Sequence, residues 1–278
     1  MKVLVTGANG YIGQGVSKAL VQNKVEAVAT DFAVNYVCDG IKKMSGNIFE
    51  IDNPYEYFGR PDVLLHLAWR DGFKHNSENH MLDLPAHYEF IKKMIDAGVK
   101  RVCIMGSMHE IGFFEGCIDE NTPCDPMSLY GISKNALRSA VQIYAKEKNV
   151  EFIWLRGYYI VGNTEHGCSI FSKITEAVKE GKTEFPFTTG QSQYDFLDYD
   201  VFCQQVARAT MQNEELGIIN CCSGYSQKLA DVVEEFITKM GYNITLKYGV
   251  FPERAYDSKA VWGDDTKIKR IMSKGKNE

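Results

Sequence analysis

Long apolar runs are missing from this chain: none reaches the length needed to span a bilayer, so no transmembrane helix is expected. Excess positive charge is missing too. The 31 Lys and Arg against 36 Asp and Glu give a formal net charge of -5, which argues against a dedicated nucleic-acid or membrane-surface binder. The one basic stretch, Lys267-Ile-Lys-Arg270 through Lys276, reads as a solvated tail. The eight cysteines (Cys38, Cys103, Cys117, Cys124, Cys168, Cys203, Cys221, Cys222) form neither a CxxC pair nor a zinc spacing. No metal site is therefore expected, and reduced thiols in the cytosol fit a chain of this size without a secretion signal. Met1-Lys-Val-Leu-Val-Thr6 is too short, and too soon broken by glycine, for a signal peptide. A cytoplasmic protein is the expectation. Internal repeats and low-complexity linkers are absent as well.

What is present is an ordinary globular composition, 45% hydrophobic and 24% charged over 278 residues, enough for one large domain or two modest ones. Lys2 to Thr6 reads as a buried parallel strand that stops at Gly7. Glycine then recurs every third position, at Gly7, Gly10 and Gly13, at the start of an apolar-periodic helix from Tyr11 to about Asn23. Such a turn lets backbone N–H groups approach a pyrophosphate at a helix start. A second strand over 25–30 delivers Asp31, whose carboxylate would accept hydrogen bonds from a ribose 2′-hydroxyl and repel a 2′-phosphate. NAD(H) is favoured over NADP(H) on that ground. Gly46 to Asp52 reads as a third strand and Pro61 to Ala68 as a fourth, within which His66 is expected to be packed or bonded to backbone. A polar loop over 69–79, a helix from about Met81 to Ala97 stopped by Gly98, and a fifth strand, Arg101 to Ser107, follow.

Tyr130 and Lys134 stand one helical turn apart in Ser128-Leu-Tyr-Gly-Ile-Ser-Lys134. An ammonium beside a phenol favours the phenolate, so such a pair can exchange a proton with an alcohol or a nascent alkoxide. The same spacing recurs at Tyr88/Lys92 and Tyr144/Lys148. Only Tyr130 follows a strand end bearing a hydroxyl, Ser107, with one loop between them. A sixth strand, 150–156, and less regular elements complete the chain: helices near 170–179, up to about 212 and over 229–240, and a strand over 217–222.

The ordered set Thr6-Gly-Ala-Asn-Gly-Tyr-Ile-Gly13, Asp31, His66-Leu-Ala68, Ser107 five residues before Gly112, Tyr130-Gly-Ile-Ser-Lys134, Leu155-Arg156 and Asp195-Phe-Leu-Asp-Tyr-Asp200 resembles the extended short-chain dehydrogenase/reductases acting on nucleotide-activated sugars. The resemblance implies an α/β fold: a doubly wound Rossmann-type parallel sheet, over 1–162 plus about 195–221, with a small substrate-binding lobe over 163–194 and 222–278. It implies cofactor contacts from Gly7, Asn9, Gly10, Tyr11, Ile12, Gly13, Asp31, Asn47, Ile48, Leu67, Ala68, Tyr130 and Lys134. It further implies Tyr130 as acid/base, Lys134 on the nicotinamide ribose and Ser107 on the reacting oxygen.

Departures from the family pattern narrow the chemistry. Met108 and His109 stand where 4,6-dehydratases carry an acidic pair, which ranks dehydration low. His109 is at a place where epimerase-reductases hold an extra acid/base. Tyr159 replaces an asparagine, Asp83 a frequent helix asparagine, and Tyr194 an arginine that grips diphosphate, leaving Arg254 for that grip. Trp69, Met108, His109, Tyr159, Tyr194 and Arg254 are the expected substrate contacts. The expected partner is a nucleoside-diphosphate sugar, with no nucleic acid and no membrane, in a homodimer through the helices at 81–97 and 128–149. The expected activity is reduction of a 4-keto-6-deoxy sugar, with a 4-epimerase retaining NAD as the alternative and a non-catalytic NAD(P)-sensing regulator as a third.

Overall fold

In the computed structural model, which describes residues 1–162, 169–252 and 258–274, seven parallel strands form one sheet. Their spatial order is Gly217–Cys221, Glu151–Gly157, Arg101–Ser107, Val63–His66, Lys2–Thr6, Glu26–Asp31, Lys42–Ser45. The chain winds outward from Lys2–Thr6 through two strands on one side, then returns to place Val63–His66 on the other. That reversal opens a crevice between the ends of Lys2–Thr6 and Val63–His66, where open α/β sheets bind ligands. Alternate residues face opposite sides. Val3, Val5, Leu65, Cys103, Ile153 and Leu155 enter one apolar cluster, while Leu4, Leu64, Val102, Ile104 and Trp154 enter the other. Burial on both faces explains the near-continuous apolar runs. Each fully buried Leu, Ile or Val contributes roughly 1.5–3 kcal/mol.

The third strand departs from expectation. It is Lys42–Ser45, paired to Val28–Asp31, and the apolar residues from 46 to 52 form a turn instead. Asn47 is the cause: its side-chain oxygen accepts the Phe49 N–H at 3.2 Å and caps the short turn Ile48–Glu50. A side chain that bonds its own backbone competes with the sheet ladder. Lysines suit the exposed edge strand that remains.

Beyond the large sheet, four short strands, Gln227–Lys228, Gln193–Tyr194, Ala260–Gly263 and Gly116–Ile118, make a second sheet. Beside it lies a separate apolar cluster around Phe171, Ile174, Phe187, Phe196, Val233 and Phe236. The helix Thr266–Lys274 buries Ile268 and Ile271 in the large sheet's own core. Among the described residues no helix is long and apolar enough to cross a membrane.

Candidate active site

A cleft of about 1650 Å³ runs from the glycine turn across the strand ends to the smaller sheet. At its first end Gly7 has φ +69°, and a Cβ there would lie 2.5 Å from the Ala68 nitrogen. A Cβ at Gly13 would lie 2.1 Å from the Gly7 oxygen. Both glycines are thus required by the protein's own close packing. Gly10 caps the helix Tyr11–Gln22 without a side chain, so the first-turn N–H groups face the cleft unobstructed. Asp31 ends the second strand and takes the Asn9 N–H at 3.0 Å and its neighbour Phe32 N–H at 2.7 Å. Asn9 in turn accepts the Tyr36 N–H at 2.8 Å. Gly7, Gly10, Tyr11, Ile12, Gly13, Asp31, Asn47, Leu67 and Ala68 line the cleft, whereas the half-buried Asn9 and the buried Ile48 are not part of its lining.

At the other end stand Ser107, Tyr130 and Lys134. Ser107 closes the strand Arg101–Ser107, and its Oγ accepts the His109 N–H at 3.3 Å, starting the turn Met108–Glu110. Ser128 starts the helix Leu129–Glu147 by accepting the Gly131 N–H at 3.2 Å. The helix can press against the turn because Gly131 has no side chain: a Cβ there would meet the His109 oxygen at 2.3 Å. Local capping and one close approach thus bring hydroxyl and phenol together. The two matching pairs elsewhere do not converge on a cleft. Tyr144 bonds Asp96, and Lys92 and Lys148 reach that same carboxylate at 3.3 and 3.6 Å on the outer surface.

The electrostatics correct one expectation. Burial pushes the Tyr130 phenol up to about 12, partly opposed by a hydrogen bond with Ser107. Lys134 does not offset this, because its ammonium points elsewhere. It donates to the Met105 carbonyl at 2.8 Å and lies 6.0 Å from the Tyr130 ring centre. Burial pulls Lys134 itself down to about 7. The phenol is therefore protonated at neutral pH, as suits a proton donor.

Around this pair the fold gathers five of the six histidines, the sixth, His166, lying outside the described residues. His75 stacks on Tyr130 with centroids 5.3 Å apart, and its carbonyl accepts the Tyr130 N–H at 2.8 Å. His109 lies 4.4 Å from His75 and 6.2 Å from both Tyr130 and Tyr159. Burial, then the charge of His75, pulls His109 down to about 4. His66 Nδ1 bonds Thr6 Oγ1 at 2.8 Å and its Nε2 meets His87 Nδ1 at 2.9 Å, so this histidine is tied by side chains and not by backbone. Trp69, Met108, His109, Tyr159 and Tyr194 all line the cleft, the two tyrosines 4.6 Å apart. Arg254 lies outside the described residues. Among the described residues no group of three His, Cys, Asp or Glu side chains could hold a metal ion.

Glu110, His80 and His87 escaped sequence reasoning, and His75 was read only as part of the polar loop over 69–79 near the site. Glu110 is fully buried and accepts Trp154 Nε1 at 2.9 Å and Arg156 Nε at 2.7 Å. The signal was Arg156, a cation inside an apolar strand, which demands a buried partner.

The model of the NAD dependent epimerase/dehydratase family matches residues 3–222. The chain belongs to that family. Among its relatives, a dTDP-6-deoxy-L-talose 4-dehydrogenase (NAD(+)) from Aggregatibacter actinomycetemcomitans is 40% identical over 269 residues, 95% of this chain and 99% of that one. Solved structures share the fold at lower identity. MoeE5 in complex with UDP-glucuronic acid and NAD has a TM-score of 0.83 at 19% identity, covering 98% of this chain and 93% of that one. The UDP-glucose 4-epimerase of Thermus thermophilus in complex with NAD has a TM-score of 0.80 at 19% identity, covering 99% and 93%. The Rossmann-type parallel sheet of this family member agrees with the sequence expectation.

Proposed function

We propose that the protein is an NAD(H)-dependent oxidoreductase acting at C4 of a nucleoside-diphosphate-linked 6-deoxy sugar, working as a 4-keto-6-deoxy-sugar reductase. The observation that carries this reading is the convergence of Ser107 and Tyr130 at one end of a cleft that begins at the glycine turn. The 40% identity to a 4-dehydrogenase of a dTDP-6-deoxy sugar supports the substrate class.

The donor set fits a nicotinamide dinucleotide: bare helix-start N–H groups for a pyrophosphate, and Asp31 for ribose hydroxyls. That cofactor supplies a hydride when bound. Tyr130 gives its phenolic proton to the sugar oxygen as C4 gains hydrogen, and Ser107 holds that oxygen by a hydrogen bond. Lys134 binds the nicotinamide ribose. Trp69, Met108, His109, Tyr159 and Tyr194 form the sugar wall. Aromatic and thioether surfaces suit the apolar face and C6 methyl of a deoxy sugar. Arg254 is assigned to the diphosphate.

The test is NADH consumption by purified protein given a dTDP-4-keto-6-deoxyhexose. Oxidation of one NADH per sugar reduced is expected. Absence of turnover, with epimerisation of a UDP-hexose lacking any added cofactor, would replace the reading by a 4-epimerase.

A further inference from the structure

Trp69 follows directly after the Leu67-Ala68 pair that borders the glycine turn, so it stands between the two ends of the cleft. Its indole does more than line the wall. The Lys134 Nζ lies 3.8 Å from the centre of the Trp69 ring, well inside the range of a cation–π contact. The indole is itself held in place. Its Nε1 donates to His80 Nδ1 at 3.0 Å, and His80 Nε2 donates to the Lys74 carbonyl at 3.0 Å, which fixes the tautomer that leaves Nδ1 free to accept. His87 stacks on the same indole at 4.5 Å and 18°, and His87 is anchored through His66 to Thr6. A chain of defined hydrogen bonds thus orients one aromatic face toward one amine.

We infer that Trp69 is a positioning residue whose ring carries the Lys134 ammonium and fixes where it stands, over the indole and against the Met105 carbonyl. The inference rests on the reading of Lys134 as the functional amine. Lys134 is 3% exposed and donates a hydrogen bond to the Met105 carbonyl. An ammonium so placed loses hydration, and burial, partly opposed by Glu110, pulls it down to about 7. The other charged and titratable groups around it are Tyr130 on its own helix, Glu110 on the Met108–Glu110 turn, His66 on its strand and His87 on the helix Asn79–Ala97. Glu110 supports the charge, and the two histidines are uncharged at neutral pH and supply none. The face of Trp69, negative by its quadrupole, holds the charge at this spot together with the Met105 carbonyl.

The experiment follows the Lys134 amine directly and needs no sugar. Protein carrying ¹⁵Nζ-labelled lysine is titrated by NMR, with Lys134→Met assigning the resonance, and with circular dichroism and urea unfolding as checks on the fold. In Trp69→Leu the Lys134 midpoint should fall by about one unit. In Trp69→Phe, which keeps a weaker aromatic face and loses the bond to His80, it should fall by less. An unchanged midpoint in a folded Trp69→Leu variant overturns the inference. Should Trp69→Leu fail to fold, an unchanged midpoint in Trp69→Phe overturns it equally. Failure of the sugar assay with a shifted midpoint would sink the reductase reading and leave this one standing.

Discussion

Replacing Glu110 by Gln should be among the most damaging single changes available near the cleft. Glu110 and Arg156 are both fully buried, and the guanidinium has few other partners: Nη1 donates to the Asp119 carbonyl at 2.9 Å, and Nη2 has none among the described residues. Glutamine can still accept the Trp154 N–H, but Arg156 would be left as a buried cation without its counter-ion. Breaking a buried pair in this way costs about 3–5 kcal/mol. Arg156→Met should cost less, about 2–3 kcal/mol, because Glu110 keeps Trp154 and has Arg138 Nε at 4.0 Å ready to approach. The double change Glu110→Leu with Arg156→Met should cost clearly less than the sum of the two singles. Equilibrium urea unfolding of the variants measures all of this. A loss below about 1 kcal/mol for Glu110→Gln, or additive behaviour of the double change, would refute the reasoning.

Three further outcomes are expected. His75→Ala removes the ring stacked on Tyr130 but keeps the carbonyl that accepts its N–H, so kcat should fall about threefold to tenfold while urea stability barely changes. Burial holds His87 neutral, with its pKa pulled down to about 3. Unfolded it titrates near 6.5, so the unfolded chain binds more protons between those values. Stability should therefore be intact above pH 6.5 and fall as the pH drops, by about 2 kcal/mol at pH 5 from His87 alone, and His87→Phe should flatten that slope in urea unfolding at several pH values. Asp31→Ser removes the charge that would repel a 2′-phosphate. The ratio of kcat/KM for NADH over NADPH should fall at least tenfold, and an unchanged ratio would put the adenosine ribose elsewhere.

The sequence was most readable where one residue type forces one geometry. Apolar strands broken by glycine located six of the seven large-sheet strands, and the Gly7, Gly10, Gly13 turn located the crevice. The third strand was misplaced because Ile48, Phe49 and Ile51 look like a strand, while the Asn47 cap that bends them acts through one side chain. Ser107 and Tyr130 were legible from strand order. What remained hidden was tertiary: Glu110 sits in a polar turn whose partner is 46 residues away, His75 comes from a loop with no periodic signal, and His80 sits in the first turn of the helix Asn79–Ala97, just ahead of the apolar spacing that marks it. Helical spacing placed Lys134 beside Tyr130 but could not say that its amine turns to Met105 and Trp69, leaving burial to set the phenol.

The most direct measurement is the fate of the hydride. With NADH deuterated at the transferable C4 position and a dTDP-4-keto-6-deoxyhexose, mass spectrometry and NMR of the product should find deuterium on sugar C4, one per NADH oxidised. Tyr130→Phe should bind NADH and transfer none. A product free of deuterium, or a Tyr130→Phe variant that turns over at the wild-type rate, would contradict hydride transfer with Tyr130 as the proton donor.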